Sequence, residues 1–163
     1  MGTGLRLGEC LALRWQDIDL TAGTITITGT IDKNTSQRVE RTKTLSSRRT
    51  IHAAPIALNA LKKQQAKELR QYLGEIVFPS TRGTWRTVDN VNRQLRTARP
   101  DHLAWIHPHS FRKTVATRIE QRYGTLAASR HLGHSSTAVT ENAYLARPKV
   151  QADYTNAFAY SPD

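Results

Sequence analysis

The first residues that could do chemistry together are His109 and Arg112, within the segment PHSFR. On a helix, residues three positions apart lie on the same face, so the imidazole and the guanidinium would point to one spot. A guanidinium presents a fork of donors that matches the oxygens of a phosphate. The pair therefore favours a phosphate-binding face, and the alternative is an ordinary solvent-exposed helical face.

A second histidine, His134, falls at a predicted junction between two helices. One short helix is predicted to end at Gly133, and the next begins near Ser135 and Ser136. Backbone N–H groups at a helix N-terminus favour an anion, so His134 is another candidate for contact with a phosphate. The alternative is a histidine that only caps the junction. Tyr144 follows ten residues after His134, and on its own it would be interpreted as a packing residue.

Two further cations stand in the first third of the chain. Arg6 lies at the start of a predicted helix in the segment GLRLGE, with Glu9 three residues later. A glutamate in the first turn of a helix is also the ordinary complement of the helix dipole. Lys43 lies at the predicted tip of a β-hairpin. Taken singly, these features do not identify a function.

The elements that must position these residues are one small sheet and many helices. Residues 24–28 alternate with a period of two and are β-branched at every position, which predicts a strand. Residues 38–43 and 49–53 are predicted to pair with it in a three-stranded antiparallel sheet. The fold class is therefore α+β and mainly helical. Helices are predicted at about 7–15, 56–73, 88–96, 109–123, 125–132, 137–144 and 149–158.

The composition limits the class of protein. The 163 residues are 38% hydrophobic and 23% charged, which is typical of a globular domain and excludes both a membrane protein and a disordered one. The single cysteine, Cys10, excludes an internal disulfide and a cysteine-based zinc site. Lysine and arginine number 24 against 13 acidic residues, a net charge of +11. Such an excess indicates a polyanionic partner, most often nucleic acid.

In their order along the chain, these pieces resemble the tyrosine recombinase family, which is also called the phage integrase family. The matching segments are GLRLGE, TKTLSSRRTI, PHSFRKT and LGHSS, followed by Tyr144. The resemblance covers nearly the whole chain, from residue 4 to about residue 144. It implies the family's catalytic-domain fold, mainly helical with a small three-stranded antiparallel sheet. It also agrees with the net positive charge, which the match did not use.

The resemblance implies a role for each matching residue. Tyr144 would attack a DNA phosphodiester and form a 3′-phosphotyrosyl bond. Arg6 and Arg112 would contact the non-bridging oxygens of the transition state. Lys43 would protonate the leaving 5′-oxygen.

The remaining residues would assist these four. The resemblance implies that His109 assists proton transfer, that His134 hydrogen-bonds the phosphate, and that Glu9 supports the arginines from behind. No metal and no cofactor are expected, because the arginines would balance the phosphate charge. A zinc site at His131 and His134 is a weaker alternative, because no cysteine or carboxylate joins them at ligand spacing. We therefore expect His131 to be structural.

Double-stranded DNA is the expected partner, bound by a homotetramer, with no membrane involved. Other arginines are candidates for contacts with the DNA backbone, and a solvated basic face explains them equally well. These candidates are Arg48, Arg49, Arg86, Arg93 and Arg96.

The expected function is site-specific DNA recombination, in the integration or excision of a mobile element, in a bacterial or phage cytoplasm and close to the nucleoid. We expect residues 1–163 to be a catalytic domain truncated at its N-terminus, without the DNA-gripping domain that usually precedes it. A non-catalytic DNA-binding remnant is the alternative function, and a related topoisomerase is a third. Tyr154 and Tyr160 are alternative nucleophiles by position alone, but neither keeps the spacing from the LGH segment.

Overall fold

The computed structural model describes residues 2–40, 48–71, 74–133 and 152–158, without the side chains of 68–71. Three of the predicted site residues, Lys43, His134 and Tyr144, lie outside the described residues, as does the helix predicted at 137–144. Everything below concerns the described ranges.

The described N-terminal part of the chain consists of short elements. A 3₁₀ turn at Trp15–Asp17 separates the first helix from the strands. The helix and strands are α1 (Leu7–Leu11), β1 (Ile18–Asp19), β2 (Thr24–Ile27), β3 (Gly29–Ile31), β4 (Arg38–Glu40) and β5 (Arg49–His52).

The strands form two antiparallel sheets. One has three strands in the order β1-β2-β5, and the other is the hairpin β3-β4. A three-stranded sheet is thus present as predicted, but β1 occupies the place predicted for residues 38–43. The reason is that β2 ends at Ile27 and the chain continues as β3 from Gly29, which lies opposite Glu40. A Cβ on Gly29 would lie 2.9 Å from the backbone carbonyl oxygen of Val39, which cannot swing aside as a side chain can, so glycine suits this close pairing.

From residue 55 to residue 133, the described part of the chain is mainly helical, and local sequence signals set the helix boundaries. The helices are α2 (Pro55–Gln71), α3 (Val88–Ala98), α4 (Pro108–Tyr123) and α5 (Thr125–Leu132). Proline occupies the first turn of α4, as its fixed φ favours. Gly133 ends α5 in the left-handed conformation, with φ at 65°. The helices predicted at 109–123 and 125–132 are confirmed. The helix predicted at 149–158 is wrong over 152–158, where the only regular element is a 3₁₀ turn at Thr155–Phe158.

Three apolar clusters fill the interior. The first joins the three-stranded sheet to α2 and contains Leu13, Ile25, Ile27, Ile51, Ala53, Leu61 and Val77. The second joins α4 and α5 to the last 3₁₀ turn and contains Val115, Ile119, Ala128 and Ala157. The third lies beneath α1 and α3 and contains Leu11, Ala12 and Ile31. The third cluster thus holds α1, while Thr3 and Gly4 of the preceding segment contact α5 and α4. Within the described residues, none of the helices has the length and apolar character needed to span a membrane.

Candidate active site

Arg6 and Glu9 form a compact unit at the start of α1. Arg6 is the residue that precedes the helix, and its backbone N–H donates to Glu9 Oε2 at 2.9 Å. Its side chain returns to the same carboxylate, with Nη1 at 3.1 Å from Oε1. Glu9 is fully buried, whereas the Arg6 side chain is 40% exposed. The Arg6 guanidinium is therefore held on one side and open to solvent on the other.

Arg49 approaches the same carboxylate from β5. Its Nη2 lies 3.1 Å from Glu9 Oε2, and its Nη1 lies 3.4 Å from Oε1. Its Nε donates to the backbone carbonyl of His131 at 2.9 Å. Arg49 is only 5% exposed and its guanidinium nitrogens meet protein acceptors, which does not fit the exposed position expected of a DNA-backbone contact. A signal was present in the sequence: a period of two along β5 places Arg49 on the same buried face as Ile51.

Arg112 joins α4 to two other segments. Its Nη1 donates to the Gly4 carbonyl at 2.6 Å, and its Nη2 donates to the Leu132 carbonyl at 2.9 Å. Arg112 is 4% exposed. Gly4 has a positive φ, and a Cβ there would lie 2.9 Å from Val115 Cγ1. Glycine at this position lets the N-terminal segment approach the helix that carries Arg112.

One cleft unites three of the predicted site residues. Arg6, His109 and Arg112 all line a cavity of about 390 Å³, together with the exposed Arg96 of α3. His109 is exposed in the first turn of α4, one turn before Arg112. With His107, which also lines it, the cleft gathers three guanidinium groups and two imidazoles, a set that suits an anion with several oxygens. Its apolar wall is formed by Leu5, Leu7, Val88 and Pro108.

His131 lies behind the cleft and is almost fully buried. Its Nε2 lies 3.1 Å from the Thr3 carbonyl oxygen, and its ring lies 5.7 Å from the Tyr154 ring, centroid to centroid. The pKa of the imidazole falls from 6.5 to about 4, mainly because burial disfavours the charged form. The nearby charges of Arg49 and Arg112 lower this pKa in the same direction. These contacts fit the structural role predicted for His131.

The other candidate DNA contacts occupy the surface near the cleft. Arg48, Arg93 and Arg96 are exposed, and Arg86 is half-buried, where it donates to the Gln94 side chain. Arg93 and Arg96 both belong to α3. Because Arg96 also lines the cleft, the basic surface of α3 is continuous with it.

No metal-ligand cluster appears in the ranges that the structure describes: none of their histidine, cysteine, aspartate and glutamate side chains form a group of three or more suited to a metal ion. Cys10 has a raised pKa of about 11, mainly through burial, so its thiol is a poor nucleophile.

The comparison with known families agrees with this fold. A family model described as "Phage integrase family" matches residues 1–149, and the chain belongs to that family. Tyrosine recombinase XerC of Xanthomonas campestris pv. campestris (strain B100) is 32% identical over 143 residues, which are 85% of this chain and 39% of that protein. The integrase of Staphylococcus phage L54a is 28% identical over 156 residues, which are 87% of this chain and 44% of that protein. The chain thus spans less than half the length of these relatives.

Solved structures of low sequence identity share the fold. The Tn1549 transposon integrase in complex with circular intermediate DNA superposes with a TM-score of 0.64 at 22% identity, covering 83% of this chain and 49% of that chain. XerA recombinase superposes with a TM-score of 0.62 at 22% identity, covering 83% of this chain and 46% of that chain. The predicted tyrosine recombinase catalytic-domain fold is confirmed.

Proposed function

We propose that this chain carries the catalytic domain of a site-specific DNA recombinase, which cleaves and rejoins DNA strands through a 3′-phosphotyrosyl intermediate at Tyr144. The observation that carries the proposal is the cleft in which Arg6, His109 and Arg112 meet. These residues come from opposite parts of the chain, and they are also the residues that the family resemblance assigns to phosphate chemistry.

The charge of the cleft suits a phosphodiester better than a neutral substrate. A phosphodiester carries one negative charge, and charge accumulates on its oxygens as a nucleophile adds. Preorganised donors stabilise such a transition state, and the loss of one costs roughly 3–4 kcal/mol. Arg6 is preorganised by Glu9, and Arg112 by two backbone carbonyls. Neither guanidinium needs to reorganise when the charge develops.

The covalent step follows from the remaining assignments. Tyr144 Oη attacks phosphorus, the bond from phosphorus to the 5′-oxygen breaks, and its electron pair stays on that oxygen. Lys43 supplies the proton that makes the leaving group a 5′-hydroxyl. The reverse attack by a 5′-hydroxyl rejoins a strand and restores the tyrosine. The bond energy is conserved in the ester, so no external energy source is needed.

His109 and His134 assist this step in the proposal. His109 stands in the first turn of α4 and assists proton transfer by accepting the proton that Tyr144 Oη loses as it attacks. His134 hydrogen-bonds the phosphate. Glu9 supports Arg6 from the buried side.

Duplex DNA is the proposed substrate, and a homotetramer on DNA is the proposed assembly. The net charge of +11 and the arginines of α3 supply attraction to the backbone. The Tn1549 integrase, which shares the fold, was solved with circular intermediate DNA. By analogy, the cleft and the α3 surface contact DNA together.

The first prediction tests the nucleophile. The protein is incubated with a pool of nicked duplexes of random sequence, whose short 3′ fragment diffuses away and traps the covalent adduct. We expect Tyr144→Phe to abolish the adduct and to leave duplex affinity unchanged. Tyr154→Phe is the matched control, because the Tyr154 ring packs 5.0 Å from the Tyr123 ring. DNA binding without any adduct from the wild-type chain would instead identify a non-catalytic DNA-binding protein.

The second prediction tests the general acid. Lys43→Ala should slow adduct formation on an ordinary duplex by about 10²–10⁴-fold, the usual contribution of a positioned acid. Replacing the leaving 5′-oxygen by sulfur should restore the rate. A thiol has a pKa of about 8.5, so the sulfur leaves as a thiolate and needs no proton from Lys43. Arg6→Ala should stay slow on both substrates. If sulfur rescues both variants equally, the assignment of Lys43 is wrong.

A further inference from the structure

Arg49 stands between Arg6 and Arg112, two of the three arginines that line the cleft. On one side it pairs with Glu9, which in turn holds Arg6. On the other side it bonds the carbonyl of His131, in the terminal turn of α5. The neighbouring carbonyl in that turn, that of Leu132, accepts from Arg112. Arg49 itself is not among the residues that line the cleft.

We propose that Arg49 is a positioning residue that sets the spacing of the Arg6 and Arg112 guanidinium groups without touching the phosphate. The inference rests on the proposed function, because this spacing matters when both groups bind one phosphate. It gives a role to a residue that lies within a matching segment but to which the resemblance assigns no part in catalysis.

The geometry requires an arginine at this position. Arg49 uses Nε toward the α5 carbonyl at 2.9 Å and both terminal nitrogens toward the two Glu9 oxygens. A rigid planar fork can serve these two directions at once, whereas the single ammonium of lysine cannot. Lysine would preserve the charge and lose the bridge.

Gly133 fixes how deeply the Arg49 side chain sits. A Cβ on Gly133 would lie 2.8 Å from Arg49 Nη1 and 3.1 Å from its Cδ and Cζ. The guanidinium therefore lies directly against the backbone that ends α5. Gly133 also has a φ of 65°, so glycine is favoured at this position both by the backbone conformation and by the close contact with Arg49.

Stability alone does not require this buried pair. Replacing a buried ion pair by packed apolar side chains is often neutral or stabilising, so such a pair is weak evidence for a stabilising role. A fixed bridge has a different value in a catalytic cleft, where a displacement of about 1 Å can cost on the order of 10² in rate.

The test is a double-mutant cycle between Arg49→Lys and Arg6→Lys. Variants are compared on the pooled nicked duplexes, at a temperature where denaturation curves show them folded. We expect Arg49→Lys to slow adduct formation by about 10²-fold, with duplex affinity within about twofold of wild type. The double variant should be no slower than the slower single variant, because both changes act on the same guanidinium. A purely structural role predicts rate losses that follow the folded fraction.

Arg14→Lys is the matched control. Arg14 also forms a forked ion pair with a buried carboxylate, since its Nε and Nη2 lie 3.2 Å and 3.4 Å from the two oxygens of Asp17. Within the described part of the chain, this pair bonds neither Glu9 nor α5, so the rate of adduct formation should be unchanged. If Arg49→Lys does not fold, Gly133→Ala displaces the same guanidinium without a change of charge, and it should slow the adduct in the same non-additive way with Arg6→Lys.

A second measurement separates this inference from the proposed function. Inorganic phosphate is titrated into each variant and followed at the Arg6 Nε–H resonance by NMR. Arg49→Lys should lose phosphate affinity, and Arg14→Lys should retain it. If the wild-type chain forms no adduct dependent on Tyr144, the proposed function fails, and the titration alone decides the role of Arg49. An unchanged phosphate affinity in Arg49→Lys, or rate effects that multiply in the cycle, would overturn the inference.

Discussion

Two groups of arginines on this chain differ in their burial and in their hydrogen-bond partners. Arg49 and Arg112 are buried, and their donors meet a buried carboxylate and backbone carbonyls. Arg93 and Arg96 project from α3 into solvent, where Arg93 donates to Asn90 Oδ1 of its own helix. The residue type is the same, and the surroundings decide its role.

This difference in burial separates two roles of an arginine, the positioning of neighbouring groups and the long-range attraction of a polyanion. A buried arginine with fixed partners supplies an orientation, and it cannot move without leaving a buried polar group unsatisfied. An exposed arginine supplies a long-range field, which salt screens over about 10 Å at 0.1 M ionic strength. The buried group should therefore govern stability and rate, and the exposed group should govern DNA affinity and its salt dependence.

The largest expected effect on stability comes from removing the charge of Glu9, the buried carboxylate that Arg49 contacts. Glu9→Gln removes the charge that compensates Arg49, so the free energy of unfolding should fall by about 3–5 kcal/mol. Chemical denaturation measures this loss. Glu40→Gln is the control, because Glu40 pairs with Arg38 at the surface and its removal should cost far less. A Glu9→Gln protein as stable as wild type would show that the buried group is not held by this carboxylate.

A somewhat smaller effect is expected from acid. The pKa of His131 is about 4 in the folded chain, below its ordinary 6.5, so the unfolded chain binds the extra proton. Stability should be complete above pH 6.5 and should fall as the pH drops toward 4, by on the order of 3 kcal/mol. The charges that face the imidazole, those of Arg49 and Arg112, act in the same direction. Denaturation curves from pH 8 to pH 4 test this.

His131→Leu keeps the volume of the buried side chain and removes its titration. Its stability profile should run parallel to that of the wild type above pH 7 and should be flatter between pH 6.5 and pH 4. Equal slopes in the acid range would locate the sensitivity elsewhere in the chain.

The smallest effect on stability is expected from the exposed group. Arg93→Gln with Arg96→Gln should leave the unfolding midpoint unchanged and should weaken binding to duplexes of every sequence. The slope of log affinity against log salt should fall by about one for each phosphate that the protein no longer neutralises. Lys62→Gln with Lys63→Gln on α2 removes the same charge from another surface. If the lysine variant loses as much affinity and slope, α3 has no special role.

The sequence predicted the C-terminal helices well because their boundaries are local. Pro108, Gly124 and Gly133 each end or begin a helix through their own backbone preferences. The pairing of residues 38–40 was wrong because the close approach at Gly29, and not strand propensity, selects β3 as their neighbour.

The candidate site shows the same difference between residues that local sequence identifies and residues whose position depends on distant partners. The motif segments single out Arg6, His109 and Arg112, and these three residues line one cleft. Arg49 was assigned to the surface because its burial depends on a carboxylate 40 residues earlier and a carbonyl 82 residues later. Charge counting cannot detect such partners, although strand alternation placed Arg49 on the inner face.

The contacts that α4 and α5 make with the first residues of the chain constrain the order in which the protein can fold. Arg112 meets Gly4 across 108 residues, and His131 meets Thr3 across 128. Closing such loops costs more entropy than forming a helix turn, and distant contacts are the slow ones in folding. During synthesis, the sheet and the hairpin can form while α4 and α5 are still being made. In a nascent chain, the sheet can thus be present before Arg6 and Arg112 come together. The phosphate-binding arrangement forms only when α4 and α5 pack against the first residues of the chain.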